Sequence, residues 1–259
     1  MEKQCICTQT LIQVRKEPSE KAELITQILF GEIYELIELV GNWAKIITVF
    51  DAYEGWIDKK LITELRENTS KQIEGNAFIS NKTITSLKNS TKNIDIPLVA
   101  GSSLPFINEL GEFAIEQTMY RYNDNLAKIP ITGDNIVMFA KQFINAPYLW
   151  GGRTVLGIDC SGLTQLVYKL LGIALSRDAS MQVNQGRFVE FLSEAQSGDL
   201  AFFDNNEGKI IHVGILLNSH QIIHSSGWVK IESIDHQGIY NADSQNYSHA
   251  LRVIKRIIN

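Results

Sequence analysis

The spacing of turn signals in the first quarter of the chain limits its fold more than any other feature. Between residues 5 and 66, strand-forming runs of three to seven residues alternate with short polar or glycine breaks. Leu11–Val14 is followed by Arg15–Lys21, which carries Pro18. Leu24–Phe30, Tyr34–Val40, Trp43–Val49 and Gly55–Ile57 follow, broken at Gly31, Gly41-Asn42 and Asp51–Glu54. No helix fits between breaks this close, and β-branched and aromatic runs so punctuated predict a small all-β barrel.

After about residue 130 the texture changes. Ile136, Phe139, Ala140, Phe143 and Ile144 follow helical spacing behind Asp134, expected to be the cap, and Pro147 sets the limit of that helix. A second helix starts near Asp159, carries Leu163, Leu166, Val167, Leu170 and Leu171, and stops at Gly172. Strand-like runs follow at Leu200–Phe203, His212–Leu217, Gln221–His224 and Leu251–Ile257. Helices first and antiparallel strands after define an α+β domain. Three segments result: a barrel over 1–66, a second, degenerate barrel or linker domain over 67–130, and an α+β domain over 131–259. The polar stretch Arg66–Lys71 reads as the linker between the first two.

Composition removes several function classes. With 44% hydrophobic and 20% charged residues the chain can bury a core, so wholesale disorder is excluded. No apolar run approaches the ~20 residues of a membrane helix. A net charge of −5 argues against nucleic acid as a partner. Three cysteines, two of them in Cys5-Ile6-Cys7, make neither a disulfide framework nor a zinc pattern, so no metal or organic cofactor is expected. Met1–Gln9 lacks the basic and apolar regions of an export signal. The expectation is a cytoplasmic monomer, or a periplasmic one if a signal has been removed.

Cys160 lies in Gly157-Ile158-Asp159-Cys160-Ser161-Gly162-Leu163, at the first turn of the second helix. Helix N-terminal N–H groups favour an anion, so a thiol there is expected to have a lowered pKa and to act as a nucleophile. The same N–H groups can receive an oxyanion. On position alone, a buried structural cysteine is the favoured reading. A base could come from His212. If Leu217-Asn218-Ser219 is a hairpin loop, Leu216 faces His220, Gly214 faces Ile222, and His212 faces His224, so one ring could orient the other. A β-bulge would spoil that register. His220, His236 and His249 read as solvent-facing.

Tyr148-Leu149-Trp150-Gly151-Gly152-Arg153, the Cys160 segment, Ser197-Gly198-Asp199-Leu200, His212-Val213-Gly214-Ile215 and Ile223-His224 together resemble the NlpC family over about residues 133–259. Its members are papain-like cysteine peptidases that cut bacterial cell-wall peptides. Arg177-Asp178-Ala179-Ser180-Met181-Gln182 is similar to an Arg-Asp-x-x-x-Gln element of the branch that cleaves γ-D-glutamyl bonds to a diamino acid. The first barrel resembles the bacterial SH3-like domain of that branch.

The resemblance implies a papain-like domain preceded by one or two SH3-like barrels. It implies Cys160 as nucleophile, His212 as base and His224 as its orienter, with Tyr148 and the Cys160 N–H facing the oxyanion. It further implies substrate contacts from Trp150, Asp159 and Ser161, and recognition of a free N-terminal L-alanine by Glu17, Tyr53 and Asp178. A buried ammonium needs such carboxylates and acceptors to offset its desolvation. The expected activity is hydrolysis of the γ-D-glutamyl–diamino acid bond in freed peptidoglycan stem peptides, in murein peptide recycling. The rivals are a catalytically silent wall-binding module and a papain-like amidase or acyltransferase.

Overall fold

The computed structural model describes residues 3–66 and 77–258, and the chain forms two compact units, Met1–Lys128 and Ile129–Asn259. Residues 67–71 of the expected linker lie outside the described residues.

The first unit begins with six strands: β1 (Lys3–Ile6), β2 (Leu11–Arg15), β3 (Leu24–Leu29), β4 (Ile33–Val40), β5 (Trp43–Thr48) and β6 (Glu54–Asp58). They form one antiparallel sheet in the order β1-β4-β5-β6-β2-β3. Period-two alternation decides what is inside, as in β5, where Ala44 and Ile46 are buried between half-buried neighbours. Ile12, Val14, Ile28, Tyr34 and Ile57 complete that core together with Cys5 and Cys7. The two cysteines are therefore core residues outside any disulfide, and burial pushes the Cys5 thiol up to about 11. β1, which the turn spacing did not reveal, closes onto β4.

Six more strands follow in the same unit: β7 (Ala77–Ile79), β8 (Ile84–Asn89), β9 (Ile94–Val99), β10 (Ser103–Pro105), β11 (Glu112–Ile115) and β12 (Thr118–Tyr122). β11-β12-β8-β9 make a four-stranded sheet and β10-β7 a pair. Their apolar residues Leu87, Leu98, Leu104, Phe113, Tyr120 and Tyr122 share one cluster with Ile6, Phe30 and Ile33 of the first sheet. The Phe30 ring meets the edges of Tyr120 and Phe113 at 5.4 and 6.4 Å. A shared core of this kind makes 1–128 one compact unit.

The second unit opens with α1 (Gly133–Lys141), then β13 (Arg153–Thr154), β14 (Gly157–Ile158), α2 (Cys160–Lys169) and α3 (Ala179–Gln182). The cap of α1 is Thr132, whose hydroxyl accepts from the Asn135 N–H at 3.2 Å. Asp134, the expected cap, instead sits in the first turn and accepts from the Ser197 hydroxyl at 3.1 Å. Capping requires extended backbone, which Thr132 has and a residue inside the first turn lacks. Because α1 ends at Lys141, the helical period does not carry to Ile144, which is 40% exposed.

Seven strands complete the unit: β15 (Arg187–Val189), β16 (Leu200–Asp204), β17 (Ile210–Asn218), β18 (Gln221–Ser226), β19 (Trp228–Asp235), β20 (Gly238–Asn241) and β21 (Asn246–Arg256). Their order is β15-β21-β16-β17-β18-β19-β20, and β20 also pairs with β21, which closes β16–β21 into a barrel. α2 packs against β17 and β18, and all ten of its residues are buried. A helix buried on every side needs partners for its polar groups. Thr164 accordingly donates to Gln182 Oε1 at 2.7 Å, and Gln165 donates to the Leu175 carbonyl at 3.0 Å.

Candidate active site

Cys160 is the first residue of α2, placed there by a cap that does several jobs at once. Asp159 Oδ1 accepts from the Gly162 N–H at 2.7 Å, and Oδ2 accepts from the Gly151 N–H at 2.8 Å. The same carboxylate takes both arms of Arg177, from Nη1 at 3.0 Å and from Nη2 at 2.5 Å. Arg177 Nη1 also donates to the Ser161 hydroxyl at 3.0 Å, and Gln182 Nε2 donates to the Ser161 carbonyl at 3.0 Å. With Arg177 1% and Asp159 6% exposed, this is a buried, bidentate ion pair. The Arg-Asp-x-x-x-Gln element therefore braces the first turn of α2 from two directions. Gly162 is dictated by contact: a Cβ there would stand 2.3 Å from the Gly152 carbonyl oxygen.

His212 on β17 and His224 on β18 come together, although by a different register from the one the hairpin suggests. Ile215 faces Ile223 and Leu216 faces Ile222, while Asn218 pairs with Gln221 after a bulge at Leu217. Leu216 thus does not face His220, nor His212 His224. The pairing is displaced by two residues, an even shift that leaves each side chain on its original face. The two histidines become diagonal neighbours, and His212 Nε2 lies 2.9 Å from His224 Nδ1 with the rings edge to face. Gly214 makes room for this, because a Cβ at that position would lie 2.9 Å from the His224 Cβ and 2.7 Å from Ile222.

Two further residues join the pair. His224 Nε2 lies 2.8 Å from Glu232 Oε2, whose carboxylate also meets Lys230 Nζ at 3.1 Å and Asn241 Nδ2 at 2.8 Å. His249, expected to face solvent, stacks on His212 with ring centroids 4.1 Å apart and planes 25° apart. β21 brings it there across the closed barrel, a contact no local pattern reveals. Burial lowers its pKa to about 4.

Electrostatics oppose the expectation of a lowered thiol pKa. Burial pushes Cys160 up to about 12, with the Asp159 carboxylate adding to the rise. The N–H groups of Val213 and Ser161 and the Arg177 charge pull it back, but desolvation dominates because the residue is only 8% exposed. Burial likewise holds His212 well below the ordinary histidine value, with His224, His249 and Lys230 acting in the same direction. The site rests as neutral thiol and neutral imidazole.

Tyr148 is half-buried, and its N–H donates to the Gly227 carbonyl at 2.9 Å. Burial, with Cys160 and Asp159 nearby, pushes its phenol up to about 12, so the hydroxyl keeps its proton as a donor. Trp150 is 60% exposed. Ser161 is buried against Arg177 and Asp159, and Asp178 is partly buried at the start of α3. Glu17 and Tyr53 belong to the first unit, Glu17 exposed in the turn after β2 and Tyr53 half-buried before β6. Among the described residues, no group of three or more His, Cys, Asp or Glu is arranged to hold a metal ion. Nor is any helix among them long and apolar enough to cross a membrane. Glu232 escaped the sequence reading, and His249 read as solvent-facing, because neither sits in a recognisable motif; for Glu232 the alternation Lys230-Ile231-Glu232 is the one available signal.

Comparison with known proteins agrees with this geometry. The NlpC/P60 family matches residues 145–248, and the bacterial dipeptidyl-peptidase Sh3 domain matches residues 14–62. The γ-D-glutamyl-L-lysine dipeptidyl-peptidase of Bacillus subtilis (strain 168) is 30% identical over 236 residues, covering 85% of this chain and 74% of that protein. Its namesake in Bacillus cereus (strain ATCC 10987) is 28% identical over 227 residues, covering 78% of this chain and 67% of that protein. The crystal structure of an NlpC/P60 family protein from Bacillus cereus ATCC 10987 superposes with a TM-score of 0.83 at 20% identity, over 99% of this chain and 100% of the other. An N-terminal SH3-like domain precedes a papain-like domain in which a buried cysteine opens a helix beside paired histidines, and the chain belongs to the NlpC/P60 family of cysteine peptidases.

Proposed function

We propose that this peptidase hydrolyses the γ-D-glutamyl–diamino acid bond of peptidoglycan stem peptides whose L-alanine amine is free, releasing L-Ala-D-Glu. The observation that carries the proposal is the similarity to a γ-D-glutamyl-L-lysine dipeptidyl-peptidase over 85% of the chain, SH3-like domain included. The Cys160, His212 and His224 cluster supplies chemistry suited to that bond.

The Cys160 Sγ attacks the γ-carbonyl carbon of D-glutamate as its proton passes to His212. The carbonyl oxygen becomes an oxyanion facing the Cys160 N–H, which as the first residue of a helix has no intrahelical acceptor, and the Tyr148 hydroxyl. His212 returns the proton to the departing amine of the diamino acid, the C–N bond breaks, and a thioester remains. Water then gives a proton to His212 while its oxygen bonds to the carbonyl carbon. The C–S bond breaks and the thiolate recovers the proton. Glu17, Tyr53 and Asp178 match the alanine ammonium in charge and polarity, while Trp150, Asp159 and Ser161 border the glutamyl subsite. A substrate of this kind arises when wall fragments have lost their sugars, which places the enzyme in murein peptide recycling, acting as a monomer.

The test is mass spectrometry of products from L-Ala-γ-D-Glu-meso-diaminopimelate, its L-lysine counterpart, and the same peptides N-acylated. Wild type should release L-Ala-D-Glu from the free peptides alone, and Cys160→Ala should release nothing while remaining folded. Equal cleavage of acylated peptides would remove the ammonium clamp. Lactyl-peptide release from wall fragments would indicate an amidase. No cleavage, combined with retention on insoluble wall material, would favour the silent binding module.

A further inference from the structure

The donor–acceptor pattern behind Cys160 runs one residue beyond the histidine pair, and it determines where the protons sit. Glu232 is a carboxylate gripped by Lys230 at 3.1 Å and Asn241 at 2.8 Å, and its pKa is lowered to about 2. An ionised carboxylate only accepts, so His224 Nε2, 2.8 Å away, must carry the hydrogen. Burial keeps His224 neutral, and a neutral imidazole holds one N–H, so its Nδ1 is bare. The 2.9 Å contact from His224 Nδ1 to His212 Nε2 is then a hydrogen bond only if His212 is the donor. His212, also neutral, is left with its lone pair on Nδ1, the one ring nitrogen not engaged by His224.

We propose that Glu232, acting through His224, holds His212 in the Nε2–H tautomer and so leaves Nδ1 as the base for the Cys160 thiol. Glu232 is thus a positioning residue. The proposal rests on the reading that Cys160 and His212 carry the chemistry, but it concerns proton placement in the free enzyme. The alternative arrangement is close at hand. Were the Glu232 acceptor absent, Lys230 could donate to His224 Nε2, His224 Nδ1–H to His212 Nε2, and His212 Nδ1–H would point its hydrogen toward the sulfur. Every donor in that arrangement is satisfied, yet the base has been lost. During attack His212 becomes a cation, and its positive charge then faces a chain of acceptors ending in a carboxylate. The other charged or titratable groups that act on the pair, His249 and Lys230, supply no competing carboxylate acceptor to His224.

Glu232→Met keeps the length of the side chain and removes both acceptor oxygens. Glu232→Gln loses the charge but keeps one oxygen that can occupy the place of Oε2. The readout is the histidine nitrogen-15 spectrum of the full chain near neutral pH, where long-range couplings identify which ring nitrogen is protonated, together with kcat and KM on the free peptide. Wild type should show His212 and His224 both as Nε2–H. Met should switch both rings to Nδ1–H and lower kcat by about 100-fold or more, as expected for a base in the wrong tautomer, with KM little changed. Gln should retain the wild-type tautomers and lose less activity. A merely structural role would make the two variants alike and leave the tautomers unmoved. Wild type showing His212 as Nδ1–H, or Met leaving the tautomers unchanged, would overturn the proposal. An inactive wild type whose tautomers still switch in Met would instead count against the proposed substrate.

Discussion

The buried Arg177–Asp159 pair makes a prediction that separates its two functions, charge neutralisation and helix capping. Asp159→Asn preserves the cap, since asparagine caps helices about as well as aspartate, and takes the bidentate carboxylate away from Arg177, which stays charged and 1% exposed. Breaking a buried pair by removing one partner costs about 3–5 kcal/mol. Asp159→Ala removes the cap as well, for roughly 1 kcal/mol more. Calorimetry of the full chain should show the transition that includes residues 129–259 moving down by about 6–20 °C for Asn, at about 2–4 °C per kcal/mol, and further for Ala. Replacing both residues in an Asp159→Asn, Arg177→Met double variant should recover part of the loss, because the buried cation that faced the carboxylate has gone. A shift below about 2 °C for Asp159→Asn would refute the reasoning. It would mean that Arg177 finds solvent or another acceptor, and that the Asp159 carboxylate is free to serve substrate.

Three other outcomes follow from the site. With the Cys160 thiol pushed up to about 12, alkylation by iodoacetamide should be slow at neutral pH and rise about tenfold per pH unit through pH 9; a rate flat from pH 6 to 9 would indicate a standing thiolate–imidazolium pair. Gly214→Ala should cost about 1–3 kcal/mol by overpacking and lower kcat by pushing His224 out of line, so wild-type activity with wild-type stability would refute the packing argument. His249 has a folded pKa near 4 against an unfolded value near 6.5, so the unfolded chain binds the extra proton between them. Its stabilising contribution is complete above about pH 6.5 and is lost as pH falls toward 4, and denaturant midpoints for His249→Asn should show a weaker dependence over that window.

Local pattern was sufficient for the elements that local physics governs. The turn spacing of residues 5–66 and the extended character of β2 to β6 agree because a strand of five to eight residues is bounded by its own turns. The Asp159 cap and the Gly172 stop, at φ +78°, bracket α2 as their side-chain and backbone chemistry requires. Strands β8, β12, β19 and β20 were not visible, since segments such as Ile84–Asn89 become strands only through partners distant in the chain.

What this sequence determines by itself is the presence and order of the reactive groups: a cysteine opening a helix, two histidines on one face of a hairpin, and a turn-rich barrel ahead of them. These depend on spacings of a few residues, which the backbone converts directly into shared faces and helix ends. Tertiary structure alone decided the two-residue register that makes His212 and His224 diagonal, the Glu232 carboxylate behind them, the His249 ring stacked in front, and the direction in which the Cys160 thiol shifts. Each depends on burial or on strands that meet across the barrel, and desolvation and long-range pairing are properties of the assembled interior that no short window of sequence contains.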